Sequence, residues 1–398
     1  MAETPAKAPS KPPAKPRRSV SRKKAAEKPT EQSAEQAAKD AAKKPAEQTG
    51  TKALAPNARH VLICLPHYAF SAGVATVAQR QVEMVQALGH RVSICCMTSA
   101  MDTGLGEDAP DLYTIGGQDD FNALLRFLRP DTIIAHSMPF YIWIDREPKA
   151  RDRAIFWDHG EPPPELFPGE VEIRRNIERD RLAALSRLDG TGRVVAISDY
   201  IKRADKLTRA PIVFNGVEPW VDEVRERRRA SPGPTASILL LQRIGRMEAR
   251  YKRYDQMFEL EEALAEHLTK FRILCAGALS GALPEASERI QYTVNFTPVQ
   301  KRKMFQTNRF FVSFSEWEGF NLPLVEAQAV GMVGLAKPVS AHLETSALHY
   351  RTIGDLALTI AAMTKDEKRY QEYSVSAIEH AARFSWAGMR TYLTEALT

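Results

Sequence analysis

The sequence has few cysteines, no long apolar stretch and, at its start, almost no aliphatic side chains. Its four cysteines, Cys64, Cys95, Cys96 and Cys275, all lie within apolar runs and show no metal-ligand spacing. They indicate small core residues in a reducing compartment rather than a disulfide framework. No uncharged apolar stretch reaches the roughly eighteen residues of a membrane span, and no secretory signal opens the chain. We therefore expect a cytoplasmic protein, soluble or at most peripheral at the inner face of a membrane.

The start of the chain is deficient in side chains that build a core. Residues 1–52 contain only Met1 and Val20 as large aliphatic residues, in a background of mainly Ala, Lys, Pro, Glu, Gln, Ser and Arg. Such a segment cannot bury enough apolar surface to offset its conformational entropy, which predicts a disordered basic tail over residues 1–58. Loose attraction of this tail to anionic lipid or nucleic acid, and a transit peptide, are the alternatives.

The basic character of the whole chain comes from this tail. Residues 1–58 hold 13 basic and 6 acidic residues, which leaves 42 basic and 43 acidic residues in the remainder. The sequence pI of about 9.0 therefore does not describe the folded part. On net charge we expect no specific nucleic-acid binding, and at most a weak peripheral contact with a membrane.

From residue 59 onward, short apolar runs alternate with amphipathic segments, as in parallel sheets with helices on both faces. The first series of predicted strands covers residues 60–66, 91–97, 131–137, 153–159, 193–199 and 211–216. The second series covers residues 237–244, 271–278, 291–296, 309–315 and 332–338. The pattern predicts an α/β protein with two doubly wound, Rossmann-like halves whose strands end at one cleft.

Composition and strand spacing also place the domain boundaries. We predict a first domain at residues 59–216 and a second at 237–384. Pro, Gly and the charged run Arg227, Arg228 and Arg229 predict a linker at residues 217–236, with the arginines as its solvated face. A C-terminal helix at residues 385–398 is expected to cross back to the first domain.

Two glutamates flank a turn in the segment EGFNLPLVEAQAVG, residues 318–331. Glu318 follows a predicted strand, and Glu326 lies in a predicted helix at residues 322–330. A carboxylate about 4 Å from a phosphate charge is repelled by roughly 4 kcal/mol at an effective dielectric of about 20. Hydroxyl groups instead donate charge-assisted bonds to carboxylates, each contributing about 1.5–3 kcal/mol. The pair therefore favours sugar and ribose hydroxyls over a diphosphate.

This segment resembles the Glu-x7-Glu motif of retaining glycosyltransferases with the GT-B fold, in particular the large family four. The resemblance rests also on the residues around the two glutamates, namely Ser315, Gly319, Phe320, Leu322, Pro323, Ala327 and Gly331. It extends unevenly from about residue 60 to the C-terminus and excludes the tail. It implies two Rossmann-like domains that face a cleft, and transfer of a hexose from a nucleotide diphosphate sugar to a glycan or lipid-linked acceptor.

The resemblance also implies roles for individual residues. His159, in FWDHGEP, matches an active-site histidine near the donor sugar, whereas the roles of His136 and His67 stay open. Lys252 matches a lysine that neutralises the diphosphate, and Arg243 and Arg246 compete for the partnering arginine. The predicted catalytic residues are His159, Glu318, Lys252 and Arg246. The predicted donor-binding residues are Glu326, Arg243, Gly319, Phe320, Asn321, Leu322 and Gly73, the last in a segment similar to the family's Gly-rich first loop.

No metal and no other cofactor is expected. The chain has no Asp-x-Asp sequence, which argues against the metal-dependent GT-A type, and the spacing of Asp158, His159 and Glu161 matches no common metal site. Arg253 and Asn321 stand where relatives commonly have glycine, and the segment SAHLETSAL lacks the usual Gly-rich stretch and its acidic residue. These departures leave the donor's base and sugar open.

Other functions fit the same architecture. A sugar-nucleotide epimerase, a phosphorylase and a degenerate, non-catalytic transferase domain are the alternatives. The transferase interpretation requires the carboxylates of Glu318 and Glu326 to face the gap between the halves. It fails if they point away from that gap or are held in an internal ion pair.

Overall fold

The computed structural model describes residues 57–69, 73–99, 110–230, 233 and 236–398, apart from the side chains of Arg246 and Met247. Nearly all of the tail predicted at residues 1–58 lies outside this part of the chain. Within it, two parallel six-stranded sheets follow one another, joined and covered by helices. The predicted α/β class with two doubly wound halves is therefore confirmed.

The first sheet has side chains buried on both faces. Its strands are β1 (His60–Tyr68), β2 (Arg91–Ser99), β3 (Asp111–Thr114), β4 (Thr132–Ala135), β5 (Ala154–Asp158) and β6 (Val194–Ala196). They lie in the order β3-β2-β1-β4-β5-β6, and all neighbouring strands are parallel. All five residues from Val61 to Leu65 are fully buried, because helices cover both faces of the strand.

Helices connect the strands of the first sheet. They are α1 (Gly73–Ala87), α2 (Gln118–Leu128), α3 (Phe140–Asp145), α4 (Pro148–Arg151), α5 (Val171–Asp189) and α6 (Asp199–Ala204). α1 buries Val77, Ala78, Val82 and Val85, which recur at helical spacing and face the sheet. The start of α6 is fixed by the Ser198 hydroxyl, which accepts a hydrogen bond from the backbone N–H of Ile201 at 3.1 Å.

The second sheet repeats the arrangement of the first. Its strands are β7 (Ser237–Leu241), β9 (Arg272–Gly277), β11 (Ile290–Val294), β12 (Phe310–Ser313), β13 (Val333–Ala336) and β14 (Leu348–His349), beside a short pair formed by β8 (Ile244–Gly245) and β10 (Leu279–Ser280). The order is β11-β9-β7-β12-β13-β14, again parallel throughout. Each sheet therefore has a topological switch point, between β1 and β4 and between β7 and β12.

The remaining helices belong mostly to the second sheet. They are α7 (Trp220–Ala230), α8 (Arg246–Lys252), α9 (Gln256–Ala265), α10 (Pro298–Thr307), α11 (Leu322–Ala329), α12 (Ile353–Lys365), α13 (Glu367–Ala381) and α14 (Ala387–Leu397). A capping box between Thr297 and Gln300, with Pro298 in the first turn, begins α10 at the carboxyl end of β11.

The last helix, α14, packs on the first sheet rather than the second. Met389, Leu393 and Leu397 are buried in the hydrophobic core of the first sheet. The ring of Tyr392 contacts Trp157 of β5 edge-on, with 5.6 Å between centroids. The chain thus returns to its first half at its end.

The segment predicted as a linker, residues 217–236, is largely helical. It contains α7, which buries Val221 and Val224. The expectation that the whole arginine run is solvated is wrong for Arg228, which is buried and donates to the carbonyl oxygens of Phe305 at 2.7 Å and Gln306 at 3.2 Å. Its planar donor fork satisfies carbonyls at the end of α10, a tertiary contact that composition does not reveal.

Some predicted strand assignments also differ from the structure. Of the strand predicted at residues 211–216, only Ile212 pairs, in an isolated bridge with Ala196. β3 and β14 were not predicted, because both are short edge strands without a fully buried apolar run. No helix in the described ranges combines the length and apolarity that crossing a bilayer requires.

Candidate active site

A cavity of about 860 Å³ lies at the carboxyl ends of both sheets. His67 lines it near the end of β1, Ser137 shortly after β4, and Arg243 shortly after β7. The loop between β12 and α11 forms another part of its wall. Both topological switch points therefore face the same cavity, which is where open α/β sheets bind their ligands.

Glu318 is held by three contacts in the loop after β12. Its Oε1 accepts hydrogen bonds from Lys252 Nζ at 2.6 Å and from Ser315 Oγ at 2.8 Å. Its backbone N–H donates to Ser340 Oγ at 2.8 Å. Burial is the largest single influence and acts to raise the pKa of Glu318. The charge and hydrogen bond of Lys252, together with His342 and Ser315, outweigh it, so the pKa lies below its ordinary value. Glu318 is therefore a carboxylate at neutral pH.

Glu326 lies in α11 and is 1 % exposed. Its Oε1 accepts a hydrogen bond from Lys301 Nζ at 2.8 Å, whereas its Oε2 is buried with no hydrogen-bond partner among the described residues. Burial raises the pKa of Glu326, and Lys301 only partly opposes the rise. Glu326 also lines the cavity, and this carboxylate keeps one acceptor that no described protein group uses.

Both carboxylates thus line the cavity, which the transferase interpretation requires. Each is also ion-paired, however, and an internal ion pair was stated above to contradict that interpretation. The lysine in each pair, Lys252 or Lys301, lines the same cavity. The pairs are therefore part of the cavity wall rather than internal to the core. A ligand that brings an anion to the lysine and a hydroxyl to the carboxylate satisfies both partners.

Arg243 and Arg246 are the two alternatives predicted for contact with a diphosphate, and Arg243 lies at the cavity. Its Nη2 donates to the hydroxyl of Tyr251 at 3.2 Å, and its Nη1 is 3.6 Å from Glu248 Oε1. About half of its side chain is exposed. Arg246 begins α8, but its side chain lies outside the described part of the chain. Its predicted role therefore stays a prediction.

His159 follows β5 and lines the cavity from the first half. Its Nε2 is 2.9 Å from Nδ1 of His136, whose own Nε2 is 2.8 Å from Oε1 of Gln81. Burial lowers the pKa of His159 to about 3. The ring is therefore neutral at physiological pH. His67 lines the cavity separately and is 2.7 Å from the Thr98 hydroxyl.

Solved structures of similar fold cover most of this chain. Sucrose-phosphate synthase from Thermosynechococcus elongatus is 14% identical with a TM-score of 0.64, over 85% of this chain and 98% of that one. HepE from Anabaena, in complex with UDP and glucose, is 13% identical with a TM-score of 0.64, over 85% and 99%. The lipopolysaccharide glycosyltransferase WaaG is 14% identical with a TM-score of 0.61, over 83% and 98%. The chain has the GT-B fold. No family model and no curated protein matches the sequence.

In this GT-B fold, the loop after β12 approaches the first half closely at Gly319. A Cβ atom at this position would lie 2.2 Å from the backbone oxygen of His159. No side chain fits there, so glycine is required by the contact between the two halves. Gly73 differs, because among the described residues a Cβ there would meet only Leu322 Cδ1, at 4.0 Å. Its small size leaves room in the cavity that it lines.

Phe320, Asn321 and Leu322 all line the cavity, but two of them have structural partners as well. Asn321 has φ 60° and caps α11, since its Oδ1 accepts from the Leu324 N–H at 3.2 Å. Its Nδ2 is 2.9 Å from His342 Nε2. The ring of Phe320 contacts Phe384 at 5.2 Å between centroids. These contacts fix the loop that carries Glu318.

The candidate metal set of Asp158, His159 and Glu161 is not brought together as one site. Asp158 is buried and accepts from Arg181 Nη1 at 2.9 Å, and Arg181 also pairs with Asp205. Across the described residues, no group of three or more metal-ligating side chains is assembled.

Two cavity-lining residues, Lys301 and Glu161, are not among the predicted site residues. Lys301 pairs with Glu326, and its Nζ lies 5.5 Å from the Trp220 ring centroid. The capping box at Thr297 was the available signal, because it places Lys301 in the first turn of α10 after β11. Glu161 lines the cavity and has no hydrogen bond or ion pair within the described ranges. Burial raises its pKa, with Arg181 and Arg174 acting in the opposite direction.

Proposed function

We propose that the protein is a retaining glycosyltransferase that transfers a hexose from a nucleotide diphosphate sugar to a glycan or lipid-linked acceptor. The observation that carries the proposal is the pairing of Glu318 with Lys252, and of Glu326 with Lys301, in the wall of one cavity. A nucleotide diphosphate sugar has hydroxyls at both ends and negative charge between them. Carboxylates for the hydroxyls and lysines for the phosphates complement that distribution.

Each carboxylate is assigned by its position. Glu318 follows the β12 switch point and binds the donor sugar, opposite His159 of the first half. Glu326 binds the ribose. Its buried Oε2 has no hydrogen-bond donor among the described residues, and a ribose hydroxyl supplies one. Lys252 binds the diphosphate, together with Arg243 or Arg246. The amides near Phe320 and Leu322 orient the sugar at the start of α11.

In the mechanism, the acceptor hydroxyl oxygen bonds to the anomeric carbon on the face from which the diphosphate departs. The bond from that carbon to the diphosphate oxygen breaks, and the hydroxyl proton passes to the departing phosphate. No protein nucleophile is required, so the side chains act by positioning the substrates and by stabilising the departing negative charge. Lys252 and its arginine partner neutralise the diphosphate in the place that a metal ion takes in other transferases. The absence of Asp-x-Asp from the sequence supports this division of roles. Closure of the two halves over the bound donor would keep water away from it.

Comparison with structures of the same fold supports a nucleotide-sugar donor. The Anabaena protein was determined with UDP and glucose bound, and WaaG acts in lipopolysaccharide biosynthesis. These relatives support a sugar nucleotide as donor and a glycan or lipid-linked acceptor. Their low identity leaves the choice of base and hexose to experiment.

A two-step experiment tests the proposal. A thermal-shift panel of UDP-, GDP- and ADP-sugars identifies the donor, and release of nucleotide diphosphate is then measured with and without candidate glycan acceptors, in the presence of EDTA. Transfer predicts release that depends on an acceptor and persists in EDTA. Isomerisation of the donor without an acceptor would identify an epimerase, and dependence on inorganic phosphate would identify a phosphorylase. Failure to bind any nucleotide or sugar nucleotide would indicate a non-catalytic domain.

A further inference from the structure

Three side chains form a line from the buried core of the first half to the cavity. Gln81 in α1 and His136 after β4 are both fully buried, and His159 is the member that lines the cavity. Gln81 Oε1 lies 2.8 Å from His136 Nε2, and His136 Nδ1 lies 2.9 Å from His159 Nε2. The two imidazole rings are tilted by 32°, with centroids 5.2 Å apart. Every nitrogen of His136 is therefore used.

The chemistry of these atoms fixes where the protons are. An amide oxygen only accepts, so His136 Nε2 carries a proton and donates it to Gln81. A neutral imidazole has one proton, which leaves His136 Nδ1 as an acceptor. His159 Nε2 must then carry its own proton, and His159 Nδ1 is left bare.

The electrostatic surroundings of His136 also favour this assignment of protons. Burial, and next the neighbouring His159, lower the pKa of His136 well below its ordinary value. A second proton on His136 would set two N–H groups against each other at the contact with His159. The group at the far end is an amide rather than a carboxylate, so nothing in the line favours an imidazolium.

We propose that Gln81 and His136 are positioning residues that hold His159 as its neutral Nε2–H tautomer, so that Nδ1 accepts a hydrogen bond from a hydroxyl of the donor sugar. This inference rests on the proposed function. It assigns His159 a binding role without proton transfer, because the ring neither gains nor loses a proton in the working pH range. It also explains why a glutamine lies inside α1, on the face packed against the sheet.

The test uses the full chain labelled with 15N-histidine. Signals of His136 and His159 are assigned by their loss in His136→Gln and His159→Gln variants. In the unsubstituted protein, both residues are expected as Nε2–H tautomers that do not titrate between about pH 5.5 and pH 8. An Nδ1–H signal for His159, as the reversed Gln81 amide would produce, or titration of His159 in this range, would overturn the proposal.

A substitution of Gln81 then tests whether this series of side chains affects donor binding. Gln81→Met removes the acceptor at similar volume and is expected to give His159 a mixture of tautomers. Affinity for the donor sugar nucleotide should fall about fivefold to tenfold, the effect of one neutral hydrogen bond. Affinity for the nucleotide diphosphate alone should not change, because His159 faces only the sugar. Gln86→Met, later in α1 and away from the cavity lining, is the matched control and should leave both affinities unchanged.

The two readouts separate this inference from the proposed function. Tautomers are measured in the free protein, so they decide the state of His159 even if no sugar nucleotide binds. If donor binds normally but His159 is not held as the Nε2–H form, the positioning role is wrong and the transferase proposal stands. Equal loss of nucleotide and sugar-nucleotide affinity in Gln81→Met would indicate a merely structural role and would also overturn the inference.

Discussion

Glu318 and Glu326 show how the same side chain acquires opposite properties from its surroundings. Glu318 accepts from Lys252 and Ser315, and its pKa is lowered. Glu326 accepts from Lys301 alone, keeps one buried oxygen unpartnered among the described residues, and has a raised pKa. The first is a pre-charged carboxylate, whereas the second gains most from a new hydrogen-bond donor.

Substitution of the two glutamates should separate ribose from sugar recognition. Glu326→Ala is expected to weaken binding of both the nucleotide diphosphate and the sugar nucleotide, because both contain the ribose. Glu318→Ala should weaken only the sugar nucleotide. Loss of a charge-assisted bond of about 1.5–3 kcal/mol corresponds to a roughly 10- to 100-fold loss of affinity, measurable by titration calorimetry. Wild-type donor affinity in both variants would contradict the assignment.

Lys252→Ala should weaken the nucleotide diphosphate and the sugar nucleotide by a similar factor of roughly 10 to 100, because it removes a charge from the phosphates. The adjacent Arg253→Ala serves as control. Arg253 pairs with Asp255 at 3.1 Å and is not among the cavity-lining residues that the structure describes. Equal loss in both variants would assign the effect to general charge rather than to Lys252.

The environment of Glu161 favours the neutral form of its carboxyl group. Because its folded-state pKa is raised, its stabilising contribution is present below its ordinary pKa and is lost as pH rises through the folded value. Glu161→Gln should therefore raise resistance to denaturant at about pH 8, and this gain should shrink toward about pH 5. Urea unfolding of both proteins at the two pH values measures the difference. A variant less stable at pH 8 would show that the carboxylate has a stabilising partner.

At the scale of elements, the loop between β12 and α11 is shaped by a tertiary contact and by a local cap. Ser340 holds it at the N–H of Glu318, and Asn321 holds its end by capping α11 from a left-handed conformation. Between them, Gly319 meets the backbone of His159. The loop therefore couples the β5 end of the first sheet to the β12 end of the second.

Gly319→Ala is expected to disturb this coupling, because its Cβ would lie 2.2 Å from a backbone oxygen that cannot rotate away. We expect a loss of stability of about 1–3 kcal/mol and loss of donor binding. Gly73→Ala is the informative comparison. The described residues leave space for a Cβ at this position, so stability should hold while donor affinity falls if Gly73 makes room for the ligand. Thermal melts and donor titrations of both variants check this, and a stable Gly319→Ala that still binds donor would refute the steric argument.

At the scale of the whole molecule, the chain order of the two halves is not the order of their packing. α14 follows all strands of the second sheet but completes the core of the first, through Met389, Leu393 and Leu397. Phe320 and Phe384 also contact each other in that cluster. The two halves therefore share a hydrophobic seam below the cavity.

Leu393→Ala should destabilise the first half even though it lies near the C-terminus. Leu393 is fully buried, and truncation of a core leucine costs about 2–5 kcal/mol. Leu358→Ala in α12, where the leucine is 55% exposed, should change stability by about 0.5 kcal/mol or less. Denaturant unfolding followed by tryptophan fluorescence measures both. Equal, small effects would show that α14 is not part of the core.

Features that depend on neighbouring residues could be predicted from the sequence, whereas features that depend on contacts between distant residues could not. Alternating apolar and amphipathic segments predicted two doubly wound halves, because parallel strands buried on both faces are recognisable within a few residues. Arg228 was placed wrongly, because its burial depends on carbonyl groups about 77 positions later in the chain. The edge strands β3 and β14 were missed, because partly exposed strands carry no continuous apolar run. The roles assigned to His159, Lys252 and the two glutamates remain predictions.

The local pattern of this sequence was sufficient to predict the fold class, and also the turn at Glu318 with the following helix that contains Glu326. Periodicity, glycine and proline act on neighbouring residues, so their effects can be predicted from short segments. Folding decided which charges meet. Lys252 reaches Glu318 across 66 positions, Lys301 reaches Glu326 across 25, and Gln81 reaches His136 across 55. Such partners are brought together by sheet order and helix packing, and no spacing within the chain encodes their contact.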